Sequence, residues 1–381
     1  YRRSLEAERL FELQAELTKD IARSLEAELT PSETQRIERQ TTQDLKAYGL
    51  YVRGRRELAR RMEGDMEAAV DLFRRAIRQD SRFALAWAGL ADTAGNEWWG
   101  YAGFDTLGVS PEEAAQRALE LDPDLAEAHA SMGLVHHRQR NGPAALRELQ
   151  QAVQLKPSYA EAQNWLGRTC LVLGRPEKAR RHLELARELN PRHLLARHFL
   201  YDTYIVSGKA EKTLEEVREQ VRQYPEFPGA RHAETRALYA LGRYEEARKV
   251  AREHLPKSID IPGTFEWRPT YLIVIETALG DTARAQTRLA TLKEREAPPI
   301  VMAYAHAAFG DVEPALTALE AVEDWTYVPT FSVRYMNFPE GLAQVRETSR
   351  YEGLIREINQ YWGLRPDGTV PEETSPPEAG A

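Results

Sequence analysis

Pro123, Pro157, Pro191 and Pro225 stand 34 residues apart, and three further columns keep the same step. They are Gly174, Gly208 and Gly242; Ala145, Ala179, Thr213 and Ala247; and Leu149, Leu183, Val217 and Ala251. A chain with this period cannot be organised around one central core. It is one supersecondary unit used repeatedly, too small to bury its own apolar face and therefore stacked on its neighbours.

The residue types in the columns say what the unit is. In AEAHASMGLVHHRQRNGPAALRELQQAVQLKPSY, Ala128, Gly133 and Ala145 are small enough to let two helix backbones approach closely. Met132, Leu149 and Val153 fall at helical spacing and fill the space between them. The glycine column supplies the turn between two helices, and the proline column prevents continuation of the second. Each unit reads as a helix–turn–helix, and the fold class expected is all-α.

These motifs resemble the tetratricopeptide repeat (TPR) family. AEAQNWLGRTCLVLGRPEKARRHLELARELNPRH lies close to its pattern, and the repeats from Ala126, Ala160 and Leu194 fit it best. LYALGRYEEARKVARE continues it without the proline, and YLIVIETALGDTARAQTRLATL and IVMAYAHAAFGDVEPALTALEAV read as degenerate pairs. Upstream, AYGLYVRGRRELARRMEGDMEAAVDLFRRAIRQD matches as a lengthened first repeat. The resemblance implies TPR pairs stacked in a right-handed superhelix, an α-solenoid, over residues 44–325.

The second repeat carries an interruption, GNEWWGYAGFDTLG, within an insertion at 95–109. Ala84 and Pro123 are 39 residues apart where regular repeats have 31, so the extra residues lie between the helices of one pair. Ser110, Pro111 and Glu113 then form a helix start. The aromatic insertion is expected to pack on the repeats, with one or two of Trp98, Trp99 and Tyr101 left at the rim as binding candidates.

The ends depart from the repeat. Residues 1–43 are expected to be linker and capping helices, with an apolar stripe at Leu10, Leu13, Leu17, Ile21, Leu25 and Leu29. ELTKDIARSLEAELTPSETQRIERQTTQDLKAYGLYVRGR resembles the join between a TolB- or FlgO-like domain and a TPR array in bacterial signalling proteins. FPEGLAQVRETSRYEGLIREINQYWGL resembles the terminal segment of such arrays. Residues 326–365 are therefore expected to cap the last helix pair through Leu342, Val345, Tyr351, Leu354 and Ile355. The Pro-, Glu- and Thr-rich residues 366–381 are expected to be disordered. The chain begins at Tyr1 and reads as the interior of a longer protein.

Composition excludes several functions. A net charge of −8 argues against nucleic-acid partners, since phosphate backbones require clustered Lys and Arg. No apolar run approaches the roughly 18 residues of a membrane span, so no direct membrane insertion is expected. A single cysteine, Cys170, permits no internal disulfide framework, and its packing column marks it as a buried structural thiol. No phosphate-binding glycine loop, GxSxG or HExxH occurs, and neither an enzyme activity nor a cofactor is expected. Adjacent His136 and His137 point in different directions, one at a packing column and the other toward the groove. His198, Asp202 and His232 lie at spacings from which a metal set can be drawn, but neighbouring first helices sit about 8–10 Å apart and no metal is expected.

The resemblance instead directs attention to the first helix of each pair, which in the family lines a concave face. Its ligand-meeting columns place Asn164, Arg168, His198 and Asp202 at the centre, with His232, Arg236 and Tyr239 beside them. Trp267, Val274, Ile300 and Tyr304 extend the line toward an apolar, aromatic end. No lysine occupies these columns, so the two-carboxylate clamp of chaperone-binding TPR domains is not reproduced. The expected partner is a protein or peptide segment with acidic and hydrophobic parts. The expected function is a non-catalytic interaction or sensory module of a bacterial regulatory protein. The alternative is a structural assembly subunit, with self-association through the N-terminal helix. The expected location is cytoplasmic, or the periplasmic part of a membrane-anchored protein.

Overall fold

The computed structural model describes Glu16, Asp20 and residues 42–60, 65–93, 109–225, 227–255, 267–323 and 341–371. The N-terminal apolar stripe, the aromatic insertion with Trp98, Trp99 and Tyr101, and residues 372–381 lie outside them. Among the described residues there are eighteen α-helices and no β-strand, so the fold is all-α as expected. The chain divides into two compact units, Tyr1–Val135 and His136–Ala381.

The first unit contains α1 (Leu45–Arg60), α2 (Asp65–Gln79), α3 (Ala84–Asp92), α4 (Pro111–Leu121) and most of α5 (Ala126–Arg138). Phe73 of α2 is fully buried at the centre of its core, among Leu58, Met66, Val70 and Leu90. Polar links supplement this packing: Arg55 of α1 pairs with Asp92 of α3 at 2.5 Å, and the Ser131 hydroxyl of α5 donates to the same carboxylate. Helix α4 begins as its sequence predicts. Ser110 accepts from the Glu113 amide, Glu113 accepts from the Ser110 amide, and Pro111 occupies the first turn, where a missing N–H costs nothing.

The second unit is a succession of helix pairs. They are α7 (Ala160–Val172) with α8 (Pro176–Leu189), α9 (Leu194–Val206) with α10 (Ala210–Gln223), and α11 (Pro228–Ala240) with α12 (Tyr244–His254). Next come α13 (Trp267–Ala278) with α14 (Thr282–Glu294), and α15 (Pro299–Ala308) with α16 (Val312–Glu320). Helix α6 (Gly142–Leu155) precedes them, and α17 (Gly341–Arg346) and α18 (Ser349–Tyr361) follow. Stacked pairs of this kind are the architecture of an α-solenoid.

The two members of a pair differ as their sequences require. Second helices are amphipathic: α8 buries Ala179, Leu183 and Ala186 and turns its Arg and Glu residues outward. First helices are enclosed on nearly every side, and α7 is buried without a break from Ala162 to Val172. Close approach within this pair depends on Gly167, where a Cβ would stand 2.7 Å from Leu183 Cγ. Burial of a leucine such as Leu183 contributes about 1.5–3 kcal/mol, which no pair obtains without its partner helix.

Helices α17 and α18 pack on α15 and α16, burying Val345 and Leu354. The end of α18 also reaches the start of the same unit. The Trp362 carbonyl accepts from the Gly142 amide at 2.9 Å, and Arg140 Nε donates to the Tyr361 hydroxyl at 3.0 Å. Trp362 is 1% exposed, with its ring centroid 5.0 Å from that of His137. Beyond it, the Asn359 carboxamide donates to the Pro366 carbonyl, so the first residues of the Pro-rich tail are held against α18.

Candidate functional site: the ladder on the first helices

The 34-residue period places equivalent side chains of α7, α9 and α11 one above another, and long polar or aromatic residues at those columns meet across the gap between repeats. Arg168 of α7 lies with its guanidinium carbon 4.0 Å above the Trp165 ring and 4.4 Å above Phe199 of α9. Both aromatic faces present negative quadrupole to the cation, which favours burial of a charge that burial alone opposes. His198 of α9 bonds through Nδ1 to the Gly229 carbonyl of α11 at 3.1 Å. Asp202 of α9 accepts a charge-assisted bond from Arg236 of α11. The His232 ring of α11 lies 5.7 Å from the Tyr271 ring of α13.

Every described member of the expected ligand face is buried. Asn164, Arg168, His198, Asp202, His232, Arg236, Tyr239, Val274, Ile300 and Tyr304 all have less than a tenth of their surface exposed. The Trp267 side chain lies outside the described ones. The expectation of an open row of side chains thus meets a different finding: most polar members bridge one repeat to the next. Residues long enough to reach a ligand are also long enough to meet their counterparts on a neighbouring helix about 8–10 Å away.

Asn164 differs from its neighbours. It is fully buried, and neither its carboxamide oxygen nor its nitrogen has a hydrogen-bond partner among the described residues. Leaving such groups unsatisfied costs about 1–3 kcal/mol each, so this position carries an unfilled donor and acceptor side by side.

Burial sets the ionisation of the ladder. The His198 imidazole is pushed down to about 3 by burial and then by the Arg236 and Arg168 charges, against the Gly229 bond that raises it. His232 is also lowered to about 3 by burial, with His198 and Arg236 adding to the effect. Both rings are neutral at physiological pH. The Asp202 carboxyl is raised, because burial outweighs the attraction of Arg236. Tyr271 is raised to about 12 by burial. Asp202 is bound to an arginine and His198 donates to a carbonyl, so neither is presented as a metal ligand. No group of three His, Cys, Asp or Glu able to hold a metal occurs among the described residues.

The adjacent histidine pair and the thiol make local packing contacts. His137 is 1% exposed and hydrogen-bonded to Thr169 Oγ1 at 2.9 Å, and His136 lies near Gln139 at the helix end. Cys170 is buried, which raises its thiol to about 11 and holds it as the unreactive neutral form. No helix of the described residues is long and apolar enough to cross a membrane.

Two groups went unread in the sequence. Trp165 and Phe199 supply the faces that hold Arg168, and neither occupies a ligand column. Glu276 is a lone acid within the apolar run LIVIETAL, and that isolation was the available signal. It is fully buried between arginines of two other helices.

By sequence, residues 131–193 match the tetratricopeptide repeat family model. No curated protein matches the chain. Among solved structures, the chain is similar to a thermophilic TPR protein of Thermus thermophilus, at 21% identity over 51% of this chain and 98% of that one, with a TM-score of 0.38. It is similar to pilF of Pseudomonas aeruginosa at 19% identity, over 55% and 92% of the two chains, with a TM-score of 0.43. Yeast Tom70 is similar at 16% identity, over 83% and 68%, with a TM-score of 0.42.

Proposed function

We propose that this chain is a non-catalytic protein-interaction module whose first-helix face receives a peptide or protein segment, as the partner-binding or sensory part of a larger bacterial regulatory protein. The observation that carries this reading is Asn164. A buried carboxamide with both its donor and its acceptor unfilled is complementary to one peptide bond, which offers an acceptor and a donor at the same separation. Arg168 and Arg236 lie at the next ligand column and favour an acidic side chain, while Val274, Ile300 and Tyr304 continue the line with apolar surface. A segment reaching these residues must open the face locally, which costs affinity and selects for a partner that replaces the contacts it breaks.

The absence of catalysis in this reading rests on what the ionisable groups do. His198 and Asp202 bridge repeats, and His232 is held neutral against Tyr271, so none is disposed as an acid, base or nucleophile toward a common point.

A displayed library of disordered peptides selected against the intact chain tests the reading. Enrichment of segments mixing acidic and apolar residues is expected, with affinity falling about tenfold or more for Asn164→Ala, in line with roughly 1–3 kcal/mol for an unmet polar pair. Selected peptides that bind Asn164→Ala as well as the parent chain would place the ligand elsewhere.

A further inference from the structure

Two of the arginines that line a cleft of about 360 Å³ formed by α12, α13 and α14, where Arg252, Arg268, Arg288, Pro269 and Leu272 meet, hold the buried Glu276. Its carboxylate accepts from Arg252 Nη2 at 2.8 Å and from Arg288 Nε at 2.7 Å and Nη2 at 3.2 Å. Arg268 does not touch it; its Nη2 donates to the Arg252 backbone carbonyl at 2.5 Å. Burial pushes the Glu276 carboxyl up, but the bonds from Arg288 and Arg252 outweigh this and hold it ionised.

One buried carboxylate needs one cation to balance it, and two satisfy its geometry. Among the described residues there are three guanidiniums to one carboxylate here, an excess of two positive charges around a small concave space. Arg252 and Arg288 are about one-third exposed, with side-chain values of 37% and 33%, so each has one side fixed on Glu276 and the other toward solvent. Fixing a guanidinium by its inner edge removes much of the entropy it would lose on gripping a ligand. A second cationic cleft, of about 590 Å³, is lined by Lys46, Arg53, Arg75 and Arg78 of α1 and α2. Those four side chains are exposed, and among the described residues none is anchored to a buried carboxylate.

We propose that the Arg252–Arg268–Arg288 cleft is an anion site for a phosphate dianion, supplied either as free phosphate or as a phosphorylated side chain. The net charge of the cluster matches a phosphate monoester, which carries about −1.5 to −2 at neutral pH, better than a single carboxylate. Arginines approaching from three helices suit a tetrahedral group whose oxygens point in several directions. The volume sits at the small end of the roughly 300–1,000 Å³ typical of ligand sites, and Pro269 and Leu272 give it an apolar side.

Isothermal titration calorimetry on the full chain tests this, with sodium phosphate and sodium chloride compared at matched ionic strength. One-site binding of phosphate that chloride does not reproduce is expected. Arg268→Ala should weaken it about tenfold or more, the loss of one charge-assisted contact, without uncovering Glu276. Arg248→Ala, which removes an arginine bound to Glu245 on the same α12, should leave it unchanged. If Arg268→Ala fails to fold by circular dichroism, Arg268→Lys keeps the charge without the fork, and an intermediate affinity is expected. Comparison of inorganic phosphate with a phosphoserine peptide then identifies the source by which binds more tightly. Heats identical for phosphate and chloride, or an affinity unaltered in both Arg268 variants, would overturn the proposal.

Discussion

Asp202 and Arg236 illustrate why a buried pair is costly to break and cheap to replace. Both are almost fully enclosed, so Arg236→Ala leaves a carboxylate in a medium that cannot solvate it. A loss of about 3–5 kcal/mol is expected, whereas Asp202→Leu combined with Arg236→Met should cost far less. Urea denaturation of the single and double variants checks this, and simple additivity of the two single losses would count against the pair. The neighbouring histidines give a pH dependence of fixed sign. His198 and His232 titrate near 6.5 when unfolded and at about 3 when folded, so the unfolded chain binds more protons in between. Their contribution to stability is intact above about pH 6.5 and is lost progressively as pH falls below it. At pH 5 the loss is about 2 kcal/mol for each. The raised Asp202 carboxyl works in the opposite sense, favouring its neutral form in the fold, but one acid is set against two bases. Denaturant midpoints measured between about pH 7.5 and pH 5 should fall, and His198→Gln with His232→Gln should flatten the slope. A midpoint that rises in acid would contradict the burial of both rings.

At the scale of elements, the turn inside each pair carries the most specific backbone requirement. Gly174, Gly208 and Gly242 have φ of 77°, 74° and 69°, a region that costs a residue with a Cβ about 1 kcal/mol. The same column in the preceding repeat is Arg140, at φ 61°. The arginine is explained by its side chain, which donates to the Tyr361 hydroxyl and lies 5.7 Å from the centre of that ring. Arg140→Gly is therefore expected to exchange one effect for the other. Backbone strain of about 1 kcal/mol is relieved while the anchor of α18 is lost, so the melting temperature should move little. Hydrogen exchange should nevertheless accelerate in α18. Unaltered exchange across residues 349–364 would show that the Trp362 contacts hold the helix alone.

At the scale of the molecule, repeat arrays gain stability from neighbour to neighbour and open readily from their ends. In the second unit the last helix is fixed to the turn before α6, which ties residues 137–143 to residues 361–363. Trp362→Ala removes a fully buried ring from that junction. A cost of about 3–5 kcal/mol is expected, with exchange rising in residues 137–145 as well as in α18. Exchange confined to α18 would mean that the C-terminal helix caps only α15 and α16. The same connection bears on binding, because His137, on the first-helix face, is covered by the Trp362 ring.

The sequence alone determined the all-α helix pairs, because period and residue size are local properties that any 34-residue unit must satisfy. Pro157 and Gly174 could be assigned their places without reference to the rest of the chain, and so could the start of α4 at Ser110. The same spacing put Asn164, Arg168, His198, Asp202, His232 and Arg236 on one ladder. It did not show what each side chain touches, since that depends on the gap between neighbouring repeats and on rotamers chosen within it. Tertiary structure decided that Asp202 takes Arg236, that Arg168 lies between Trp165 and Phe199, and that Asn164 is left without a partner among the described residues. It also brought Arg252 and Arg288 onto Glu276 from two other helices, with Arg268 lining the same cleft, and returned Trp362 to Gly142 across more than two hundred residues. Contacts of that range leave no periodic trace in a sequence, because nothing in a repeat specifies where its distant end will dock.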